Sequence, residues 1–321
     1  MAPERIVLST NAIHPDGAAL LAPHARLVIA PDTSAQTLRA LVGEADGLIV
    51  RGKLPDDIFD HAPRLKGAVR HGVGLDFIPV EAATAKGIAV ANLPGSNTQA
   101  VAEYVFSALF HLRRPLGRID GRLRAEGWGP ARGMADDLPE LAGSTLGILG
   151  LGTIGKRIAG MARAGFGMRV LGTARSGSAP EGIEAVDIDT LFSQSDAVVI
   201  ACPLTAQTKG LVDARLLGLM KPTAVLINPA RGPIVDTAAL VAALAARRIG
   251  GAAVDVYDIQ PITPDHPLLA QANALLTPHV AGITSTSMRA MSVGAVEEMI
   301  RILDGEDPRN FVNPTCRAVA A

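Results

Sequence analysis

The chain has 321 residues, more than one compact core usually holds, so two domains are expected and a single small binding module is excluded. Hydrophobic residues make up 48% and charged residues 19%, and 30 Lys+Arg nearly balance 31 Asp+Glu for a net charge of -1, which excludes a basic nucleic-acid binder, an acidic-tail protein and a disordered chain. Aromatic residues are only 3% against 33 Gly and 22 Pro, so the core must be built from Ala, Val, Leu and Ile, as suits an α/β protein with many tight turns.

Met1-Ala2-Pro3-Glu4-Arg5 runs straight into an apolar segment with no signal-peptide pattern, and apolar runs such as Ala197–Leu204 fall far short of the roughly 20 residues a bilayer crossing needs. Cys202 and Cys316 lie far apart, too few for a disulfide framework or a zinc site, so a reducing compartment and no metal are expected. A cytoplasmic protein with no membrane segment and no nucleic-acid partner follows as the expectation.

In chain order, Ile6–Leu8, Leu27–Ile29, Leu48–Val50, Ala68–Val69 and Ile88–Val90 read as short strands separated by helix-like stretches, which implies parallel pairing. After Asn92-Leu93-Pro94-Gly95 a long helix is expected, with Val101, Val105, Leu109 and Leu112 on one stripe and Ser96 or Asn97 as its cap. Gly117–Leu141 turns polar and glycine-rich, holds the only tryptophan, Trp128, and reads as a surface excursion or a subunit contact. Six further strands follow: Leu146–Leu149, Met168–Leu171, Ala197–Ala201, Val225–Ile227, Ala252–Val254 and Ala274–Leu276. That is the count of a dinucleotide-binding sheet. A last helix, Ser285–Leu303, is long enough to carry the chain back to the first domain.

Gly150-Leu151-Gly152-Thr153-Ile154-Gly155 fits G-x-G-x-x-G, directly follows a strand and opens the helix Lys156–Ala164. In that setting helix N-terminal amides can cradle a pyrophosphate. The end of the second strand reads Gly172-Thr173-Ala174-Arg175-Ser176, with no carboxylate to accept from a ribose 2′-hydroxyl. Arg175 can pair with a 2′-phosphate and Ser176 can add a hydrogen bond, so NADP is expected to be preferred, with NAD possible if Arg175 is only a solvated loop charge. Asn228-Pro229-Ala230-Arg231-Gly232, Asp255–Pro261 and Thr277–Gly282 each follow a strand, where ligands bind in open α/β sheets.

With the glycine loop, these segments and Arg70-His71-Gly72-Val73-Gly74-Leu75-Asp76 resemble the D-2-hydroxyacid dehydrogenase family over nearly the whole chain. The resemblance implies two Rossmann-like doubly wound parallel-sheet α/β domains, with the NAD(P)-binding domain (97–290) inserted into a substrate domain (1–96 and 291–321). It also implies a homodimer with Gly117–Leu141 as its contact segment, and a small anionic substrate. By the same resemblance Arg231 clamps a 2-oxo acid's carboxylate, His279 is the general acid, and Val73 and Gly74 give backbone amides to the carboxylate. Arg51 and His71 belong to the substrate side. Thr98, Cys202, Pro203, Thr208, Pro229, Ala230, Asp255 and Gly282 line the cofactor.

One position departs from the pattern. Most members carry a glutamate where this chain has Gln260, and an amide can orient the imidazole without stabilising its charged form, so a less basic His279 and reduction favoured at lower pH are expected. Gln260-Pro261 resembles the formate dehydrogenases of the family, which keeps formate or phosphite oxidation as an alternative. A nucleotide-sensing corepressor role is a third reading.

Overall fold

The computed structural model describes residues 4–173 and 179–318. They form two compact units, residues 4–97 with 283–318 and residues 98–282.

In the first unit β1 (Ile6–Ser9), α1 (Pro15–Leu21), β2 (Arg26–Ile29), α2 (Ala35–Val42), β3 (Gly47–Val50), β4 (Gly67–Arg70), α3 (Val80–Ala85) and β5 (Ala89–Ala91) alternate along the chain. The five strands are parallel in the order β2-β1-β3-β4-β5. Successive side chains point to opposite faces, so each apolar run supplies two cores. Leu8, Leu48, Val50, Ala68 and Val90 enter one, while Val7, Ile49, Val69, Ala89 and Ala91 enter the other. Both faces of a parallel sheet must be covered, which is why the runs are apolar at every position.

The second unit holds α4 (Thr98–Arg113), α5 (Leu116–Glu126), α6 (Trp128–Gly133), β6 (Thr145–Leu149), α7 (Thr153–Phe166), β7 (Arg169–Thr173), β8 (Glu184–Ala185), α8 (Ile188–Gln194), β9 (Ala197–Ile200), α9 (Ala214–Leu219), β10 (Val225–Asn228), α10 (Thr237–Ala245), β11 (Gly251–Val254) and β12 (Ala274–Leu276). Its sheet is parallel throughout, in the order β12-β11-β10-β9-β6-β7-β8. The order reverses between β6 and β9, and the crevice beyond that reversal is where such sheets take ligands. The sequence pattern shows six of these strands; β8 is two exposed residues with no apolar run to reveal it.

The polar excursion folds as α5 and α6. No side chain of α5 is buried, and ion pairs of Arg122 with Glu126 and Arg124 with Asp120 run along its surface. The final helix, α11 (Ser285–Leu303), packs Met291, Ala295, Val296, Met299 and Ile302 into the first unit's core. A capping box between Thr284 and Ser287 fixes its start. No helix of the described residues is long and apolar enough to cross a membrane.

Candidate active site

The functional candidates of the second unit lie just past the carboxyl ends of parallel strands. After β6, Gly150 turns the chain at φ 108, and a Cβ there would meet the Cys202 backbone nitrogen at 2.7 Å. The glycine loop is thereby pressed against the end of β9, at the reversal of strand order. A Cβ at Gly155 would lie 2.1 Å from the Gly150 carbonyl oxygen, so α7 can begin tight against the turn only without a side chain there. Gly152 is different: it caps α7 with no side-chain hydrogen bond, and the space in front of its missing Cβ is open. The first amides of a helix lack intrahelical partners. Those of Thr153, Ile154 and Gly155 therefore stand beside an open cradle that a side chain at 152 would fill. The cradle fits the pyrophosphate of a dinucleotide.

Beyond β7, Arg175 and Ser176 lie outside the described residues. Cys202 is partly buried and burial pushes its thiol pKa up, which suits a wall residue and not a nucleophile. Thr208 Oγ1 donates to the Pro203 carbonyl at 2.7 Å and accepts from the Thr205 amide at 2.7 Å, so its hydroxyl ties the 203–208 turn together. Thr98 is the first residue of α4.

Past β10, buried Asn228 accepts from the Ala230 amide at 3.1 Å and donates to the Arg231 carbonyl at 3.0 Å, folding the Pro229-Ala230-Arg231 segment back on the strand end. Arg231 has extended backbone and places one guanidinium nitrogen 2.6 Å from the Ala230 carbonyl oxygen. A Cβ at Gly232 would lie 2.0 Å from the Tyr257 carbonyl carbon. Glycine alone lets the arginine loop close on the Tyr257–Asp258 segment that leads to Gln260.

Gln260 and His279 form a hydrogen-bonded pair, with 2.9 Å between Oε1 and Nδ1. The Gln260 amide nitrogen donates to the Tyr257 carbonyl at 3.2 Å, which settles which end of the amide faces the ring. Its oxygen can only accept, so Nδ1 carries the proton toward Gln260. His279 stands at φ 58, a left-handed conformation that costs a non-glycine residue of order 1 kcal/mol. The turn around it is held by Asp255, 0% exposed, whose carboxylate accepts from Thr277 Oγ1 at 2.6 Å and from the Val280 and Ala281 amides at 2.8 Å each. The Asp255 carbonyl accepts the His279 amide at 2.8 Å. Asp255, expected beside the cofactor, spends its carboxylate on the turn that carries His279; Gly282 closes the unit just beyond that turn.

In the first unit, the 72–74 loop leaves β4 with three successive carbonyls occupied. Gly72 accepts from the Leu93 amide at 2.9 Å, Val73 from Asn92 Nδ2 at 2.8 Å and Gly74 from Arg70 Nε at 3.0 Å. Across a trans peptide the N–H points opposite to the C=O, so the Val73 and Gly74 amides face the other way. Neither has a partner among the described residues. Successive amides presented together make an anion-binding concavity. Neither Arg70, 8% exposed and stacked 4.7 Å over Phe77, nor Asn92 stands out in the sequence as a functional residue. The signal for Arg70 was its charge at the end of an otherwise apolar strand.

His71 and Arg51 each make contacts within the first unit. His71 is 4% exposed, with Nε2 2.8 Å from Ser292 Oγ. Burial first, then the Arg51 charge, push its pKa down to about 4, so the ring is neutral at neutral pH. Arg51 donates to the Ala12 carbonyl and places its other terminal nitrogen 3.8 Å from Met288 Sδ. Among the described residues no group of three His, Cys, Asp or Glu gathers as metal ligands.

A sequence profile described as "D-isomer specific 2-hydroxyacid dehydrogenase, NAD binding domain" matches residues 106–281. The chain is 39% identical over 292 residues to a glyoxylate reductase of Aeropyrum pernix, covering 87% of this chain and 86% of that one. It superposes with TM-score 0.86 and 32% identity on an NADPH-dependent glyoxylate/hydroxypyruvate reductase of Sinorhizobium meliloti in complex with NADP and malonate, over 97% of this chain and 98% of that one. An NAD-dependent formate dehydrogenase of Staphylococcus aureus in complex with NAD superposes with TM-score 0.84 at 28% identity, over 96% and 98%.

The two kinds of glycine in the loop separate experimentally. Gly152→Val is expected to leave the melting temperature unchanged and weaken dinucleotide binding by at least about tenfold, the loss of roughly one phosphate contact. Gly155→Val is expected to lower the melting temperature. Fluorescence titration with NADPH and a thermal melt read the two effects.

Proposed function

The chain belongs to the D-isomer specific 2-hydroxyacid dehydrogenase family, and from that premise we propose that it reduces glyoxylate, hydroxypyruvate or a similarly small 2-oxo acid, with NADPH preferred over NADH. The observation that carries the reading is the Gln260–His279 pair on a segment against which the Arg231 loop is packed. A bound nicotinamide cofactor supplies the hydride. Arg231 offers a planar fork that fits a carboxylate and polarises the neighbouring carbonyl. His279, its Nδ1–H fixed on Gln260, delivers a proton from Nε2 to the oxygen of C2 as the alkoxide forms, and takes it back in the reverse direction. The Val73 and Gly74 amides are the carboxylate-binding set of the first unit. Both cysteines are free thiols, in keeping with a cytoplasmic setting.

Gln260-Pro261 favours one second reading, formate oxidation, a hydride transfer that needs no proton relay. Rates of NADPH and NADH oxidation with glyoxylate, hydroxypyruvate and pyruvate, set beside NADP and NAD reduction with formate and phosphite, decide between them. Turnover of the 2-oxo acids is expected. Inert 2-oxo acids with active formate or phosphite overturn it, and tight nucleotide binding with no turnover points to a sensing protein. Gln260→Glu puts a carboxylate on the imidazole, which raises the pKa of the proton donor. Since reduction uses the protonated form, the variant's rate profile is expected to extend to higher pH; an unchanged profile removes Gln260 from the acid–base step.

The NADP preference rests on Arg175 and Ser176. Arg175→Ala is expected to raise KM for NADPH by about tenfold or more, one lost charge-assisted hydrogen bond, with KM for NADH nearly unchanged. Equal effects on both count against the assignment.

Trp128 is 74% and Leu116 66% exposed, and Leu123 is also in solvent, on two helices of the 117–141 segment and its edge. We assign this apolar surface to a second copy of the chain. Sedimentation is expected to show a dimer, and Leu116→Glu with Trp128→Glu to shift it toward monomer; a monomeric wild-type protein overturns the assignment.

A further inference from the structure

Tyr104 lies in the second turn of α4, 173 residues before Thr277, and its hydroxyl is 2.7 Å from Thr277 Oγ1. Thr277 Oγ1 is in turn 2.6 Å from Asp255 Oδ1. A hydroxyl has one proton to give, and a carboxylate only accepts. The Thr277 proton therefore goes to Asp255, and Tyr104 must be the donor to Thr277. Burial pushes the Tyr104 pKa up to about 12, so the phenol keeps that proton throughout the working range.

The series runs in one direction, from Tyr104 to Thr277 to Asp255, and it ends on the carboxylate that also gathers the amides of Val280 and Ala281 around His279. Its starting point is rigid. α4 is fixed to the sheet by Val105, Ala108 and Leu109, which share a core with Ile148, Ile227 and Ala253. A helix held in this way is a better reference for a catalytic turn than the turn's own loop.

We propose that Tyr104 is a positioning residue for the proton donor, transmitting the fixed place of α4 through Thr277 and Asp255 to the His279 turn. The proposal rests on the reading of His279 as general acid. Without the phenol hydroxyl, the Thr277 oxygen loses a donor and its proton is free to turn from Asp255. The carboxylate then holds the left-handed turn with one well-oriented partner fewer. Tyr104 touches neither substrate nor cofactor in this account; what it sets is the angle at which Nε2 meets the substrate oxygen.

The test is a cycle of Tyr104→Phe, Thr277→Val and the double variant, assayed well below their melting temperatures, with His279→Gln beside them. Phe fills the same volume, so Tyr104→Phe is expected to fold. Its kcat for 2-oxo-acid reduction is expected to fall about fivefold, which is about 1 kcal/mol at 1.36 kcal/mol per tenfold. KM for the acid and Kd for NADPH should stay unchanged, and the isotope effect with deuterated cofactor should rise as the hydride and proton step becomes slower. The double variant should be no slower than Thr277→Val, because both break the same series, and Thr277→Ser should retain wild-type kcat. An unchanged kcat in Tyr104→Phe, additive losses, or a loss shared equally by KM and thermal stability overturns the proposal. His279→Gln separates the two claims: if it is inactive while Tyr104→Phe is unaffected, only the role of Tyr104 falls, and if it reduces 2-oxo acids at the wild-type rate, the general-acid reading falls with it.

Discussion

A carboxylate removed from water must find donors or lose several kcal/mol, and Asp255 finds its three in a single turn. That constraint organises the turn after β12. The strand residues before Asp255 are Ala252, Ala253 and Val254, all buried, so its side chain has nowhere else to be satisfied. Thr277, Val280 and Ala281 come to it, and the chain between them must bend sharply enough to bring both a hydroxyl and two later amides onto one group. His279 takes the left-handed conformation at the apex of that bend. The cost of its backbone is offset by the satisfied carboxylate, and the imidazole is left projecting from a turn that cannot relax without exposing a buried charge.

The same pairing of polar groups leaves two sets of backbone amides without acceptors among the described residues. In the glycine loop, α7 begins with no side-chain cap, so its first amides remain for a ligand. In the first unit, Leu93, Asn92 and Arg70 occupy three carbonyls in a row, which turns the paired amides outward. Neither device needs a formal charge at the binding surface. A chain with net charge -1 can therefore take up anionic molecules, since backbone dipoles and one or two local arginines supply the attraction that overall charge does not.

Much of the fold is legible in the sequence because parallel strands buried on both faces must be apolar at every position. Gly47–Val50 and Val225–Asn228 are buried along their whole length and stand out as runs. Glu184–Ala185 is an exposed edge pair and leaves no such trace. The helices of the 117–141 segment are equally hidden, since Gly117, Gly121, Gly127 and Pro130 argue against helix and no buried stripe argues for it. For the candidate site, motif spacing singles out Arg231, Gln260 and His279, but residue type does not say where a side chain places its hydrogen bonds. His71 looks like an available imidazole and is a neutral core group on Ser292. Arg70 looks like a strand-end charge and is a clamp on the 72–74 loop. Tyr104 is separated from its partner by most of a domain, and only the packing of α4 brings the two together.

Gln260 shows how far the chemistry can be derived once a hydrogen bond has a direction. The Tyr257 carbonyl fixes the amide, and the amide fixes the imidazole tautomer. A carboxylate in the same place would accept the same Nδ1 proton and would also stabilise the charged ring. The amide keeps the geometry and gives up the charge. In the proposed reduction, exchanging one oxygen for one nitrogen thus bears on the ring's charge and not on its orientation.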